Sequence, residues 1–512
     1  MKAQKFENQG SALIYIIIVA AIGTMVLFGL ATFIISQDKN SQRVSNREQA
    51  FQISESGIYW YRWYLAHTVE GKTVQQKKDF WASGQAKGVG SPYQVEVSDP
   101  EGGVIGKYKL EVTPPKIDST IVVVKSTGWT YKSPNVTRTI QARFRQPAWC
   151  EYAVVANDFM RFGQGTETFG MIHSNKGIRF DGVADNVVSS AIPDTDDPDH
   201  TGNNEFAVHT HVNAPPQSGV NDSFRPLEAP PTNPVPNRPD IFKAGRKFPV
   251  PEKNFNTLIA DLNLMKQQAG LYLGQTTTTV QVNCGNRKVK GQWVWMCDNQ
   301  DVPVEGYHII LKTSPAHSMN ISMVLAYDAT SYQITSETAP VNYPIPANGT
   351  VFVENYTWVE GTLNGNHLTI AAADLSPTPV YKDIYINHNI LYTDKVGNDA
   401  DGPDILGLIA QNDISIGLYC DDNLEVDAAL LAQRGRVGRD YYSAPLSPVD
   451  YVHRHSITTY GSIVTAQRYG FAWTDGTGYN IRNLYFDNNL IYYPPPFFPT
   501  GDKYQIDLWQ EL

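Results

Sequence analysis

The sequence predicts a mainly β protein whose first element is one long α-helix. Three observations support this fold class. An uncharged apolar run extends over residues 11–36, and apolar residues then recur at helical spacing as far as Leu65. Four alternating segments follow within residues 91–146, and short apolar segments separated by Gly and Asn fill residues 150–512. We therefore expect a helix, a small antiparallel sheet and a large β head, in that order.

The apolar run is long enough to cross a membrane. Its roughly 26 residues would span about 39 Å as a helix, whereas the apolar part of a secretory signal peptide usually has about 7–15 residues. No small-residue cleavage motif follows the run, and the sharp breaking point is Gly10, at its front. We therefore expect residues 1–10 to be a leader and residues 11–36 to be a retained membrane-spanning segment.

Residues 37–70 are expected to continue the same helix. No proline occurs before Pro92, and apolar residues return at helical spacing at Ala50, Phe51, Ile53, Ile58, Tyr61 and Leu65. This second half is amphipathic, so its apolar stripe requires a partner surface. The expected partner is the antiparallel sheet over residues 91–146, with the strand segments PYQVEVSD, GKYKLEVTPP, STIVVVKSTGW and VTRTIQARFR.

The N-terminal residues resemble those of type IV pilin-like proteins, in particular minor pilins. A short basic leader ends in Gly10, and an uncharged segment starts at Ser11. The stretch Ala50–Gly57 (AFQISESG) is similar to the A-x-x-x-A-E-A-G stretch in the stalk of minor pilins. The resemblance is close over residues 1–65 and loose over residues 66–145.

The resemblance implies how this chain is processed and where it acts. It implies cleavage between Gly10 and Ser11 by a prepilin peptidase and methylation of the new N-terminus. It also implies release from the cytoplasmic membrane into an extracellular filament, with the head outside. The implied partners are other pilins through the N-terminal helix, the peptidase, the membrane before assembly, and a surface or cell-envelope ligand of the head.

One position departs from the family pattern. Most pilins carry Glu at the fifth mature position, whereas this chain has Tyr15 there. In the family that Glu neutralises the amino terminus of a neighbouring subunit, and a buried charge is costly unless it is paired. The tip subunit of the related secretion pseudopilus also lacks this carboxylate. The resemblance therefore implies a minor subunit at the filament tip that acts in assembly, initiation and surface adhesion.

Residues 150–512 are expected to form a head like a right-handed parallel β-helix. Segments such as GMIHSNKGIRFDG and GLIAQNDISI alternate short apolar runs with turn residues, and a solenoid stacks such runs coil on coil. A β-sandwich is the alternative, because periodicity does not separate the two. An insertion is expected around residues 193–358. Its Pro-rich first part, residues 193–255, predicts a long surface strap.

Two further segments of the head have their own predictions. An amphipathic helix is expected from Phe255 to near Gly270, and strands are expected over residues 275–358. The C-terminal segment is unusually aromatic, and an exposed apolar patch of this kind would be adhesive. We expect it to seal one end of the solenoid through Tyr492, Tyr493, Phe497, Phe498 and Trp509.

Composition favours an extracellular protein over a nucleic-acid-binding one. The net charge is −10, and an acidic chain is a poor partner for a polyanion. Cys284 and Cys297 flank the segment NRKVKGQWVWM, and a disulfide closing this hairpin would contribute about 3 kcal/mol. An even count of four cysteines fits an oxidising exterior, with four buried thiols as the alternative. The pairing of Cys150 and Cys420 stays open.

Calcium is the one cofactor that the sequence suggests. The candidate ligands are Asp394, Asn398, Asp399 and Asp401. Oxygen ligands at alternate positions followed by Gly402 suit Ca²⁺, but Ile405 stands where an EF-hand has its final Glu, so a solvated turn is the alternative. The segment PDTDDPDH at residues 193–200 is a poorer candidate, because its prolines interrupt the ligand geometry.

Two histidine pairs have spacings that metals use. His209 and His211, and likewise His453 and His455, place two imidazoles on one strand face. Neither pair has a carboxylate at an obvious offset. Surface or packing roles are therefore the favoured interpretation of both pairs.

No enzymatic activity is expected. The sequence contains no nucleophile elbow, P-loop or His-Glu-x-x-His motif. Asp421, Asp422 and Asp427 are candidates for the paired carboxylates of a carbohydrate-active β-helix enzyme, but each is equally a turn residue. A membrane-anchored enzyme of that class is one alternative function. A static envelope scaffold, uncleaved at Gly10, is the other.

Overall fold

The computed structural model describes residues 10–116, 119–255, 262–396, 399–400, 402–443, 450–501 and 503–512. The chain divides into two compact units. The N-terminal unit comprises Met1–Pro115, Ile121–Arg145 and Asp502–Leu512, and the second unit comprises Lys116–Thr120 and Gln146–Gly501. Each unit has its own buried apolar core.

The N-terminal unit is built on helix α1, which runs without a break from Gly10 to Thr68. The prediction of one long helix is therefore confirmed. The side chains of residues 12–45 are exposed, and burial starts at Ala50. From there the predicted stripe is buried, with Ile53, Ile58, Tyr61 and Leu65 each at most 3% exposed.

The predicted sheet is also confirmed. Strands β1 (Tyr93–Ser98), β2 (Val104–Thr113), β3 (Val122–Thr130) and β4 (Ser133–Arg145) pair antiparallel in chain order. Alternate residues of β3 are buried, as expected for a sheet with one face on a helix. This face and the stripe of α1 together form the core of the unit.

Two elements of the N-terminal unit were not predicted. A short helix α2, Val74–Ala82, begins at a capping box in which Thr73 and Gln76 bond reciprocally. The C-terminal strand Gln505–Glu511 pairs antiparallel with β4 as a fifth strand. The aromatic C-terminal segment was expected to belong wholly to the head. Instead, Phe498 is buried in the second unit, whereas the Trp509 ring contacts Phe51 at 5.8 Å between ring centroids.

The second unit is mainly β, as predicted, and most of its core strands pair in parallel, although Gly306–Lys312 and Ser318–Asp328 pair antiparallel. One ladder runs through His367–Ala372, Ile405–Ala410, Asn423–Ala432 and His453–Thr465. It continues from His453–Thr465 to Val154–Ala156 and Ile172–Ser174. Stacked parallel ladders are the arrangement of a solenoid and differ from the antiparallel pairing of a β-sandwich.

The strands of the second unit that precede residue 255 are short. They are Val154–Ala156, Met160–Phe162, Thr166–Phe169, Ile172–Ser174, Ile178–Phe180, Val183–Ala184, Val188–Ser190, Asp194–Thr195, Glu205–Phe206, Val208–His209 and Arg246–Lys247. The 3₁₀ helices whose bounds lie within the described residues of this unit are Trp149–Glu151, Pro226–Glu228 and Asn488–Ile491. Strand Val208–His209 pairs in parallel with Ile178–Phe180 in a separate three-stranded sheet, and Arg246–Lys247 pairs with Val188–Ser190 of the large sheet.

Helix α3, Leu262–Gln268, falls within the predicted helix, and the strands that follow it include several longer ones. The strands after α3 are Leu271–Leu273, Thr277–Val289, Gln292–Pro303, Gly306–Lys312, Ser318–Asp328, Gln333–Glu337, Val341–Pro344, Thr350–Val353, Tyr356–Leu363, His367–Ala372, Ile384–Tyr385, Ile390–Tyr392, Lys395–Val396, Asp399–Ala400, Ile405–Ala410, Ile414–Ile416, Asn423–Ala432, Val437–Arg439, His453–Thr465 and Gly478–Phe486. Residues 256–261 of the predicted helix lie outside the described residues.

Candidate functional site

The exposed apolar half of α1 is the candidate site for membrane insertion and assembly. Large apolar side chains point outward along its length, and Met25 and Phe28 are 79% and 75% exposed. By length and composition the helix could cross a membrane. An apolar surface of this extent is stable only against lipid or against another protein surface.

The other half of α1 is fixed to its own sheet by close backbone contact. A Cβ atom added to Gly128 of β3 would lie 2.4 Å from both the Ala50 carbonyl oxygen and the Ser54 nitrogen. A Cβ atom added to Gly57 of the helix would lie 2.3 Å from Ser126 Oγ. The helix and the sheet therefore approach each other closely at two points, at each of which one of the two elements has a glycine.

The predicted cleavage site lies at the start of this helix. Gly10 is the first residue of α1, and residues 1–9 lie outside the described residues. Cleavage between Gly10 and Ser11 therefore stays a prediction. Tyr15, which stands where pilins carry Glu, is 69% exposed on the apolar half.

The predicted calcium loop is described only in part. Asn398 and Asp401 lie outside the described residues, and the side chain of Asp399 is not described. Asp394 Oδ2 accepts a hydrogen bond from the Asp404 backbone nitrogen at 2.9 Å. Burial raises the pKa of Asp394, and the negative charge of Asp404 adds to this effect. Calcium binding at this loop stays a prediction.

The predicted disulfide is confirmed. Cys284 and Cys297 are joined across the hairpin of strands Thr277–Val289 and Gln292–Pro303. Cys150 and Cys420 are free and buried. Burial raises the pKa of the Cys150 thiol well above its ordinary value.

The three candidate carboxylates of the enzyme alternative are held in separate contacts. Asp421 Oδ1 lies 2.9 Å from His388 Nδ1, and Asp422 Oδ1 accepts a hydrogen bond from the His455 backbone nitrogen at 2.9 Å. Asp427 is 1% exposed and forms an ion pair with Lys395 at 2.5 Å. Each carboxylate therefore stabilises the fold locally.

The two histidine pairs have different surroundings. His453 and His455 are exposed, and His453 Nδ1 contacts Asp450 Oδ2 at 2.7 Å. His209 and His211 are completely buried, and the fold brings three more side chains to them. We call these five residues the histidine–carboxylate cluster: Asp197, His200, Glu205, His209 and His211.

Sequence reasoning did not identify the carboxylates of this cluster. Asp197 and His200 belong to the segment PDTDDPDH, which the sequence made a poorer calcium candidate because of its prolines. The signal that was available is the mixture of acidic and His residues within residues 194–211. Burial raises the pKa of Asp197, but the neighbouring His209 imidazole, the Asp199 backbone N–H and the Arg179 charge outweigh burial, so that the net pKa is lowered.

Comparison with known proteins identifies no family for this chain. No protein-family model matches it, and no curated protein does. One similar solved structure is the competence-associated pilin ComZ from Thermus thermophilus. It has a TM-score of 0.28 and 13% identity, and the alignment covers 91% of this chain and 97% of that chain. A TM-score of this size does not establish a shared fold.

Proposed function

We propose that this chain is a minor pilin-like subunit of a type IV pilus or a related extracellular filament. Before assembly α1 holds it in the cytoplasmic membrane, with the second unit outside. After cleavage at Gly10, the apolar half of α1 leaves the lipid and packs against the helices of other pilins. The second unit then serves in surface contact. We propose no catalytic turnover for this chain.

The observation that carries this proposal is the division of α1 into two halves. Residues 12–36 are apolar and exposed, whereas the half from Ala50 is buried against the sheet. A simple anchor requires only a span, but this helix continues without a break from Gly10 into the core of a folded unit. Such a helix suits transfer of the apolar half from lipid to a protein bundle, since both environments cover the same surface.

The proposal includes a position at the filament tip. Tyr15 offers no carboxylate to the amino terminus of a neighbouring helix, so this subunit fits a place where such a neighbour is not needed. The second unit is large, since it includes Gln146–Gly501. This size favours a subunit at the end of the filament over one that repeats along a thin shaft.

The experiment is to identify the mature N-terminus and the location of the protein. Mass spectrometry of the protein from sheared filaments should find a chain that begins at Ser11. Gly10→Val should block processing and leave the chain in the membrane, whereas Gly29→Val, inside the span, should be processed normally. Labelled antibody to the second unit should mark filament ends.

Two other outcomes would contradict the proposal in favour of the alternatives. A chain that retains Met1, together with filaments unchanged in its absence, would favour a static envelope scaffold. Release of sugar products from polysaccharide by the purified protein, lost in Asp421→Asn or Asp422→Asn, would favour a membrane-anchored carbohydrate-active enzyme.

A further inference from the structure

We propose that the histidine–carboxylate cluster binds one divalent transition-metal ion, of which Zn²⁺ is the type. The polar atoms involved are Asp197 Oδ2, Glu205 Oε2 and the Nε2 atoms of His200, His209 and His211. Four of the ligand atoms, those of Asp197, Glu205, His209 and His211, lie within 4.8 Å of one another. This inference is independent of the proposed filament function, because all five residues belong to the second unit.

The contacts within the cluster have the lengths expected between ligands of one ion. Glu205 Oε2 lies 3.0 Å from the Nε2 atoms of His200 and His211, and 3.4 Å from that of His209. Asp197 Oδ2 lies 3.4 Å from His200 Nε2 and 3.5 Å from His209 Nε2. Ligands held about 2.0–2.2 Å from a common ion are separated by distances of this order.

The backbone hydrogen bonds of the three imidazoles engage Nδ1 and leave each Nε2 atom facing the cluster. His209 Nδ1 lies 2.7 Å from the Phe206 carbonyl oxygen. His211 and His200 bond in the same way to the carbonyl oxygens of Asn221 at 2.9 Å and Thr201 at 3.2 Å. A carbonyl only accepts, so each Nδ1 donates, and each Nε2 of a neutral imidazole presents a lone pair. This orientation is typical of histidines that ligate a metal.

One buried nitrogen atom of the cluster has no hydrogen-bond partner among the described residues. His209 is completely buried, and its Nε2 makes no hydrogen bond. It faces the oxygens of Asp197 and Glu205 at 3.5 and 3.4 Å. A buried polar atom without a partner is costly, and a metal ion between these groups would satisfy it.

The two buried carboxylates of the cluster also favour binding of a cation. Asp197 and Glu205 are both fully buried and face three imidazoles. The nearby Arg179 guanidinium contacts Asp197 at 3.4 Å, but it binds Asp181 more closely, at 2.7 Å, and also binds Asp222. A divalent ion would balance the two carboxylates at the point where their oxygens meet the lone pairs.

The donor set selects the class of metal. Three imidazole nitrogens and two carboxylate oxygens, without sulfur, suit Zn²⁺ and neighbouring first-row ions, whereas Ca²⁺ takes oxygen ligands. The His200 side chain is 6% exposed and the other four are fully buried. A site closed in this way is typical of a structural metal rather than a catalytic one, which keeps an open position.

The place of the cluster indicates what the metal would stabilise. Its ligands come from the turn after Asp194–Thr195, from strand Glu205–Phe206 and from residues next to strand Val208–His209. Glu205 Oε1 also accepts a hydrogen bond from the Arg225 backbone nitrogen at 2.7 Å. The metal would therefore hold together the first part of the Pro-rich strap, a segment whose strands have only two residues each.

The test is metal binding by the full chain in detergent. We expect the purified protein, stripped with a chelator and reloaded with Zn²⁺, to hold one equivalent of zinc by elemental mass spectrometry. X-ray absorption should show nitrogen and oxygen neighbours with imidazole scattering and no sulfur. Hydrogen exchange within residues 193–225 should slow when Zn²⁺ is added back.

Matched variants separate this site from surface histidines. His209→Ala and the isosteric Glu205→Gln should each weaken Zn²⁺ binding at least about 100-fold. The control His453→Ala/His455→Ala removes an exposed pair with the same spacing and should bind as the wild type does. Folded, stripped protein that takes up no zinc would overturn the inference, and so would undiminished binding by Glu205→Gln. If His209→Ala fails to fold, sulfur or all-oxygen coordination in the wild type would still overturn it.

Discussion

Gly128 shows how a single position controls the contact between helix and sheet in the N-terminal unit. Its missing side chain allows β3 to approach the α1 backbone at Ala50 and Ser54. The atoms that a new Cβ would meet are backbone atoms, and these cannot move away by a change of rotamer as a flexible side chain can. The packing of the buried half of α1, which begins at Ala50, therefore depends on Gly128.

We expect Gly128→Ala to destabilise the N-terminal unit by about 1–3 kcal/mol, because overpacking forces the helix away from the sheet. Chemical denaturation of the detergent-solubilised protein, followed by tryptophan fluorescence, measures this change. Gly29→Ala is the control, since a Cβ at Gly29 meets nothing within 4 Å. Equal stability of the two variants would contradict the close contact.

Asp487 is a buried acid that makes stability depend on pH. Its Oδ1 accepts hydrogen bonds from the Asn489 nitrogen at 2.9 Å and from Tyr460 Oη at 3.3 Å. Burial raises the pKa of Asp487 to about 6, and burial likewise raises the pKa of Asp427 to about 6. An unfolded Asp has a pKa of about 3.9, so the folded state holds each proton more tightly.

The contribution of Asp487 is therefore complete below about pH 4 and is lost as the pH rises through about 6. It amounts to about 2–3 kcal/mol. Asn at position 487 keeps an accepting oxygen but does not ionise. Asp487→Asn should therefore remove about half of the loss of stability that Asp487 and Asp427 together cause between pH 4 and pH 7.5. Urea unfolding at both pH values measures this. A variant that loses as much stability as the wild type would contradict the assignment.

Helix α1 combines two environments in one element. Its buried half is stabilised by the sheet, whereas its apolar half has no cover among the described residues. Both halves have the same continuous helical backbone, so the chemistry of their side chains is what distinguishes them. This division allows one element to serve as an anchor and as a folded core.

We expect Ile22→Asp/Phe28→Asp to release the protein from the membrane, because each Asp near the middle of a span costs about 2.5–3.5 kcal/mol. The fraction that resists carbonate extraction of membranes measures insertion. The control Ser41→Asp/Val44→Asp adds the same charges to exposed positions after the apolar run and should stay in the membrane fraction. Retention of the first variant would mean that the apolar half does not insert.

The two units of the molecule are each assembled from distant parts of the chain. In the N-terminal unit the strand Gln505–Glu511 completes a sheet begun by residues 93–145. In the second unit Val154–Ala156 lies between His453–Thr465 and Ile172–Ser174 in the parallel ladder. The chain therefore enters the ladder at an interior position and returns to it much later.

Deleting residues 503–512 should lower the melting temperature of the N-terminal unit by about 5–10 °C and leave that of the second unit unchanged. The deletion removes the contact of Trp509 with Phe51 and the ion pair of Arg143 with Asp507, which together are worth about 1–2 kcal/mol. Differential scanning calorimetry should resolve the two transitions. The control Leu512→Ser, at an exposed position, should melt as the wild type does. A shift of the second transition would contradict the assignment of this strand.

Local patterns in the sequence determined the elements of the N-terminal unit and the class of the second. The apolar run, the stripe from Ala50 and the four alternating segments each depend on the chemistry of neighbouring residues, and the structure has the helix and the strands where those patterns stand. The disulfide followed from the short separation of Cys284 and Cys297, because a hairpin brings such residues together. A periodic pattern is enough to predict a helix or a strand where the residues that define the element are neighbours in the chain.

Only the tertiary structure decided which distant segments meet. The fifth strand of the sheet and the interior entry of Val154–Ala156 into the ladder depend on pairings between segments far apart in the chain. The histidine–carboxylate cluster is local in the chain, since its residues lie within 197–211, but the path of the turn that brings their side chains together is not specified by a periodic pattern. A periodic pattern specifies which face of a strand is buried, but it does not specify which strand lies beside it. That choice is made by the packing of the whole unit, where the burial of apolar surface outweighs local preference.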